Sequence, residues 1–461
     1  MLESLLAIED KSVYTSKYNK TFNLAEGGSV LYNTLSGAID VSDAPDLLSG
    51  FALRDEGSRE LCEYLVERGY LFENVDDETS EFERVYQSYC DFVETTRPLI
   101  FYLVVTYACN LNCRYCFQGS VKGKKNTFRL EGVEPAFEAM RSIRQLFPNT
   151  RTKPVVALFG GEPLLRANLP LVTHMVERIA DNGFLFGPII SNGVDLDAFL
   201  PLFTRIRPSG IQVTLDGPKA VHDLRRVYHA GGGTFDAIVS NIGRALDLGL
   251  KIGIRTNLDH QNIDVLDDLV AFAENQGWVG SKQVELTLSP VHNRPCGSLE
   301  ESDFHGEMLS RVLDMTQEIP PLRHWHLDGW TVVNYFKRLL DEERVVLPRF
   351  HHCEATIGKS FHLDMGGKIY TCIEACGMEE YASGEYLPKL QFYPLYEQLR
   401  HRSVVNMDRC QTCNIALVCG GGCALQSIYD HTSLATPVCA GIKRDLATFV
   451  QHRFQESVPA L

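Results

Sequence analysis

Between residues 100 and 288 the chain repeats one pattern six times. Apolar runs of strand length fall at Ile100–Thr106, Val155–Phe159, Pro188–Ser191, Gly210–Leu215, Lys251–Thr256 and Val284–Leu288. Helix-length amphipathic stretches lie between them, for example Ala167–Asn182, Phe235–Leu248 and Val265–Gln276. Strands spaced by helices need crossover connections, so they form a parallel sheet with the helices packed outside it. The greasiest stretch, Leu99–Tyr107, is nine residues long. That is well short of the roughly 18 apolar residues of a membrane span, and it reads as a buried parallel strand.

Three cysteines follow the first run, in Cys109-Asn-Leu-Asn-Cys113-Arg-Tyr-Cys116-Phe. An ordinary ferredoxin-type [4Fe–4S] cube is held by four thiolates. Three thiolates in one loop leave one iron open to a ligand that is not protein, and an open metal position marks a catalytic centre. A second set, Cys353, Cys372, Cys410, Cys413, Cys419, Cys423 and Cys439, points to further clusters. A zinc ribbon would need four closed ligands, and no histidine lies close to the first loop. His174 and His222 are distant and read as surface or core residues. A disulfide framework suits small secreted chains, whereas this one has 461 residues. Its start, Met1-Leu-Glu-Ser-Leu-Leu with Glu3, Glu9 and Asp10, lacks the basic region of a signal peptide. The expected compartment is the cytoplasm, with the thiols as metal ligands. Cys62 and Cys90 belong to no pattern and read as buried thiols.

The first loop resembles the signature of radical S-adenosylmethionine (SAM) enzymes, Cys-x3-Cys-x-Tyr-Cys here. The resemblance implies that SAM chelates the open iron through its amino and carboxylate groups, with Tyr115 by the adenine. Companion motifs follow in the family's order. Phe159-Gly160-Gly161-Glu162-Pro163 resembles the turn that receives the methionine amino group, and glycines let backbone approach a ligand closely. Ile189-Ile190-Ser191-Asn192-Gly193 resembles the strand end that touches the ribose. Val213-Thr214-Leu215-Asp216-Gly217, then His222-Asp223 and Arg226, resembles the next strand and its loop. The implied cofactor contacts are Tyr115, Gly160, Gly161, Glu162, Ser191, Asn192, Thr214 and Arg226, around a cluster on Cys109, Cys113 and Cys116. The implied fold is α/β, a partial (β/α)6 barrel. Its motifs fall after strands one to four, at the C-terminal strand ends where barrel chemistry sits.

The cysteine-rich end resembles the SPASM extension of that family, which carries two auxiliary [4Fe–4S] clusters. The family's interleaved ligation would assign Cys410, Cys413, Cys419 and Cys439 to the second cluster. Cys353, Cys372 and Cys423 would hold the first. Its fourth ligand is not in Val346-Leu-Pro-Arg-Phe-His-His352, which leaves Cys376, Cys296 or an open position. At the front, Val13–Asn19 and Gly28–Asp40 look like short strands, the latter with a Leu-Ser-Gly turn. A helix follows around Ser58–Gly69, with Leu61, Tyr64 and Leu65 on one face. This module resembles the winged-helix peptide-recognition element of peptide-modifying relatives, although a packing cap is an equal reading. The polar run Asp76-Asp-Glu-Thr-Ser-Glu81 reads as the linker behind it.

Net charge is −15, with 59 acidic against 44 basic residues, which excludes the basic footprint of a nucleic-acid binder and would suit a basic peptide. No stretch suits a membrane. The expected domains are residues 1–92 (peptide recognition), 93–295 (radical SAM core), 296–350 (bridge) and 351–461 (SPASM). In the bridge and beyond it, His292, His305, His324, His326, His351 and His352 are candidates for proton transfer. The resemblance implies a maturase of a ribosomally synthesised peptide or protein. A 5′-deoxyadenosyl radical would make a thioether, a carbon–carbon crosslink or an oxidised side chain. The electron would come from a donor such as flavodoxin or ferredoxin. A sulfatase-maturing enzyme is the alternative within the family, but those relatives carry Asp directly after the second SPASM cysteine, where this chain has Ile373 and then Glu374. A non-catalytic metal-binding peptide adaptor is the alternative of another class.

Overall fold

The structure is a computed structural model that describes residues 6–8, 11–25, 27–43, 48, 56–121, 126–291, 301–341, 346–439 and 441–454. Six parallel strands stand in chain order: Ile100–Val104, Val155–Phe159, Leu185–Ile190, Ile211–Thr214, Ile252–Leu258 and Val284–Pro290. Helices such as Leu130–Gln145, Leu169–Asp181, Phe235–Asp247 and Leu266–Asn275 cross between them. The fold is the partial (β/α)6 barrel expected from the sequence. Along the fifth strand, buried and half-buried residues alternate from Ile252 to Leu258. Successive side chains of a strand point to opposite faces, so Ile252, Ile254, Thr256 and Leu258 pack inward against the helices while Arg255 and Asn257 face the lumen.

The sheet extends past the six strands at both edges. A short strand, Trp325–Leu327, pairs in parallel with the sixth. On the other side Ser360–Asp364, from the cysteine-rich end, pairs in parallel with the first strand, Ser360 opposite Ile100 and Asp364 opposite Val104. Three antiparallel strands then complete an eleven-stranded sheet among the described residues. The bridge therefore contains structure: a helix at Glu301–Glu318, the short strand, and a helix at Thr331–Asp341. Cys296 and His292, and the side chain of His305, lie outside the described residues.

The N-terminal module is built from strands and a helix, as expected, with two corrections. Strands Leu6–Ile8, Lys11–Thr15 and Leu71–Phe72 form one antiparallel sheet, and Asn19–Asn23, Ser29–Asn33 and Ile39–Ser42 form another. The expected strand Val13–Asn19 is broken at Ser16. There the Asn19 side chain donates to the Tyr70 carbonyl at 2.8 Å and so holds a turn. On the helix Glu56–Glu67, Leu65 and Cys62 are fully buried, whereas Tyr64 is exposed and its hydroxyl reaches the Asp40 carboxylate. Residues 62 and 65 share a face by helical period. Cys90 is half-buried.

The second correction concerns the linker. Residues 76–81 open a 21-residue helix, Val75–Thr95, that runs through the boundary expected at residue 92. The Asn74 side chain caps it by accepting from the Asp77 N–H at 2.9 Å. Asp76, Asp77 and Glu78 then complement the positive end of the helix dipole. Glu78 is buried and accepts from Ser16 Oγ at 2.5 Å and the Lys17 N–H at 3.1 Å. The acidic run is a dock for the N-terminal module.

Candidate active site

The cysteine loop leaves the first strand and doubles back over the second. Gly161 N–H donates to the Thr106 carbonyl at 2.7 Å, and Glu162 N–H donates to that of Ala108 at 2.9 Å. A Cβ on Gly160 would lie 2.3 Å from the Thr106 carbonyl oxygen, and one on Gly161 would lie 2.4 Å from that of Ala108. The glycine pair therefore makes room for the cysteine loop itself, a reason the sequence did not reveal. On its far side the loop is tied to the fourth βα unit. Asn112 N–H donates to the Val227 carbonyl at 2.8 Å, and His229 N–H to that of Asn110 at 3.2 Å.

Glu162 is the hub of these strand ends. It is 1% exposed. Its Oε1 accepts from the Leu164 N–H and Ser191 Oγ, both at 2.8 Å, and its Oε2 accepts from the Asn192 N–H at 2.5 Å. Burial outweighs these three bonds and pushes its pKa up to about 7. A carboxylate oxygen takes more than one donor, so Oε2 keeps capacity for a ligand cation. The Asn192 side chain donates to Asn110 Oδ1 at 2.7 Å and approaches Cys109 Sγ at 3.8 Å. The Leu111 N–H also points at Cys109 Sγ, at 3.4 Å.

A second network holds Tyr115. Its hydroxyl donates to Asp216 Oδ2 and accepts from Arg226 Nη1 at 2.7 Å. Asp216 is fully buried and also accepts from the Asn257 N–H at 3.0 Å. The Arg225 guanidinium stacks 5.0 Å from the centre of the Tyr115 ring and grips Asp259 through Nη1 at 2.7 and 2.9 Å. Thr214 is buried at the end of the fourth strand, opposite Arg255. His222 is a core residue: Nδ1 accepts from the Asp216 N–H at 3.2 Å, so the proton sits on Nε2 toward Thr234 Oγ1. Burial, with Arg226 nearby, pulls its pKa down to about 3. Sequence reading quoted Asp216 within a motif and missed Arg225, Asn257 and Asp259 as partners. Nothing in their spacing marks them, because they meet only across strand ends.

This arrangement fits the group that the motifs imply. Burial, followed by Glu162 and the neighbouring Cys113 and Cys116 thiols, pushes Cys109 up to about 12. A thiol held up in this way ionises only beside a strong positive charge, which iron would supply. Arg226 Nε is buried with no partner, a donor left over for an anionic ligand.

At the cysteine-rich end the thiols fall into two groups. Burial raises Cys372, with Glu374, Cys423 and Cys353 adding repulsion. Burial also pushes Cys410 up to about 12, with Cys419, Cys439 and Cys413 adding to it. Cys376 is buried beside Cys372 and Asp364, in an apolar cluster with Tyr107, Val121 and Tyr370. Two arginines, Arg402 buried and Arg349 half-buried, lie between the groups. Arg402 Nη2 donates to the carbonyls of Gly421 and Gly422 at 2.9 and 3.3 Å, and its charge faces Cys423, Cys410, Cys353 and Cys419. Arg349 faces Cys419 and Cys353. Gly420, Gly421 and Gly422 all have positive φ, and a Cβ on Gly422 would lie 2.1 Å from the Val438 carbonyl oxygen. No group of three or more His, Cys, Asp or Glu among the described residues converges on a single metal ion. Cube ligands need no such convergence, since each binds its own iron. Of the histidines, His351 stacks on Tyr89 and bonds its hydroxyl through Nδ1 at 2.9 Å, His352 Nδ1 meets the Cys419 carbonyl at 3.0 Å, and His326 faces the barrel lumen.

The radical SAM superfamily model matches residues 103–273, the stretch that holds both networks. Those residues form a radical SAM domain, and the protein is an enzyme. Membership implies a [4Fe–4S] cluster and SAM. The radical SAM cyclopropyl synthase TigE of Paramaledivibacter caminithermalis is 19% identical to it over 90% of each chain. The cysteine-type anaerobic sulfatase-maturating enzyme of Clostridium perfringens is 23% identical, over 68% of this chain and 85% of its own. Among solved structures, Streptococcus suis SuiB bound to the precursor peptide SuiA superposes with a TM-score of 0.53. At 14% identity that match spans 93% of this radical SAM chain and 99% of SuiB. No described helix is long and apolar enough to cross a membrane.

Proposed function

We propose that this enzyme is a cytoplasmic maturase that modifies a ribosomally synthesised peptide or protein, with SAM, one front cluster and two auxiliary clusters. The supporting observation is the reach of the similarity. TigE and SuiB match over nine-tenths of the chain or more, which takes in at least part of the N-terminal module, whereas the sulfatase-maturating relative matches about two-thirds. That module is fixed to the auxiliary end: Thr34 Oγ1 donates to the Asn414 carbonyl at 2.8 Å, and Asn414 Nδ2 donates to that of Asn19 at 3.0 Å. Asn414 directly follows Cys413.

In this reading Cys109, Cys113 and Cys116 hold the front cluster. Glu162 receives the SAM amino group at Oε2, Arg226 offers Nε to an anionic group, and Tyr115 walls the adenine. Ser191, Asn192 and Thr214 line the remaining strand ends, and Gly160 and Gly161 keep the loop close. Cys353, Cys372 and Cys423 hold the first auxiliary cluster, with Cys376 as candidate fourth ligand. Cys410, Cys413, Cys419 and Cys439 hold the second. Held by Cys109, Cys113 and Cys116 and supplied with an electron by a flavodoxin or ferredoxin, a [4Fe–4S] cluster would supply the reductive cleavage of SAM, the source of the radical chemistry this reading directs at a substrate side chain. The buried carboxylate and arginines orient the cofactor and exclude water.

The test is anaerobic reconstitution, dithionite reduction and incubation with SAM and a short peptide encoded beside the gene. The expected results are about twelve irons per chain, 5′-deoxyadenosine, and a peptide whose mass drops by whole hydrogens. Deoxyadenosine without any peptide modification would refute the maturase reading.

A further inference from the structure

A cavity of about 610 Å3 runs along the open edge of the barrel, between the lumen-facing residues of the fourth and sixth strands, the short strand Trp325–Leu327 and the helix Thr331–Asp341. That volume is within the range of ligand pockets. The cavity connects to the cofactor site through a chain of polar contacts. Asp328, in its wall, accepts from Arg255 Nη1 at 2.6 Å. Arg255 also donates to Ser289 Oγ at 2.5 Å and to Asn257 Oδ1 at 3.0 Å. Asn257 Nδ2 reaches the Tyr115 hydroxyl at 3.4 Å. Two side chains therefore separate the cavity wall from the cysteine loop.

The charge of the wall opposes that of the molecule. The chain carries −15 overall, yet the cavity is lined by Arg323, Lys337 and Arg338 against Glu285 and Asp328. Asp328 is already matched by Arg255, which lies behind it. With Arg323 and Lys337 set against Glu285, the remaining excess is positive, and His326 from the short strand adds a further hydrogen-bonding group. Basic groups in a concave site surrounded by an acidic surface focus a positive potential there.

We propose that this trough binds an acidic stretch of the substrate peptide, its Asp or Glu side chains facing Arg323 and Lys337, and so presents a neighbouring residue to the radical site. The proposal rests on the peptide-maturase reading. It also replaces the basic partner that net charge alone had pointed to, because the potential inside the trough differs in sign from that of the surface.

The test uses fluorescein-labelled hexaglutamate, with labelled hexaglutamine as control. Each is titrated with the full-length reconstituted enzyme and read by fluorescence anisotropy. Hexaglutamate should bind and hexaglutamine should not, and added salt should weaken the binding. The double variant Arg323→Gln/Lys337→Gln should bind hexaglutamate about tenfold more weakly, and Arg323→Glu/Lys337→Glu should not bind it. Both residues lie outside the cofactor networks, so peptide-free 5′-deoxyadenosine formation should be unchanged in both variants, which also reports that they fold. Equal binding by the variants, equal binding of hexaglutamine, or no binding of hexaglutamate to the unaltered enzyme would each overturn the proposal. An unaltered enzyme that binds hexaglutamate but modifies no peptide would instead sink the maturase reading, so the two failures are distinguishable.

Discussion

The front cysteines and the C-terminal cysteines differ in their charged neighbours. Cys109 lies near the buried Glu162, and Asp216 stands behind Tyr115 with Arg226 as counter-charge. The C-terminal groups face the buried Arg402 and the half-buried Arg349. Nearby negative charge makes a cluster harder to reduce, and nearby positive charge makes it easier. Under the proposed cluster assignment, the difference would give a direction: a strong reductant at the front, and electron acceptors behind it. The two regions also differ in how they are held. The front loop is pinned to the ends of several long barrel strands. The C-terminal groups sit on helices as short as Asp408–Gln411 and Ala416–Cys419, and on a run of three glycines with positive φ.

The largest effect should come from removing the front ligands. Cys109→Ala/Cys113→Ala/Cys116→Ala should bring 5′-deoxyadenosine formation to background and lower iron by about four per chain, with little change in thermal midpoint, because the backbone bonds that tie the loop to Gly161, Glu162 and Val227 remain. Persistent deoxyadenosine would break the assignment of the front loop as the radical centre.

Cys410→Ala/Cys413→Ala should have the reverse profile. Iron falls by about four per chain and the segment around residues 404–439 becomes sensitive to protease, because short elements there lose their cross-link. Resistance equal to that of the unaltered enzyme would remove the contrast in how the two regions are held.

Arg402→Gln sharpens the electrostatic half of the comparison. It should lower the auxiliary midpoint potentials by an amount on the order of tens of millivolts in an electron paramagnetic resonance titration and leave the front potential in place. An equal shift of all three clusters would show a general loosening instead.

The smallest effect is a pH dependence of the front site. Glu162 has its folded pKa raised from 4.5 to about 7 by burial. Its carboxylate, and with it the attraction proposed for the SAM amino group, is present above that value and lost as pH falls through it. SAM affinity measured by equilibrium dialysis should therefore fall severalfold from pH 8 to pH 6. In Glu162→Gln that fall should vanish.

The sequence by itself determined the six-strand βα alternation, the loop carrying Cys109, Cys113 and Cys116, and the turns at Gly160-Gly161-Glu162 and Ser191-Asn192. These are local signals, since strand period, helix period and cysteine spacing are written over a few consecutive residues. Local composition also misled. The run Asp76–Glu81 reads as solvated linker, and only the cap at Asn74 and the burial of Glu78 against Ser16 reveal a helix. Tyr64 reads as core, but the carboxylate of Asp40, distant in sequence, draws it outward. The tertiary structure alone decided that Tyr115 meets Asp216, Arg226 and Asn257, that Gly160 and Gly161 clear the cysteine loop, and that Arg402 lies between two sets of thiols. It also joined Ser360–Asp364 to the first barrel strand. Each of these contacts links residues up to hundreds of positions apart, brought together at strand ends or in packed loops, where no periodicity in the chain records who the neighbour is.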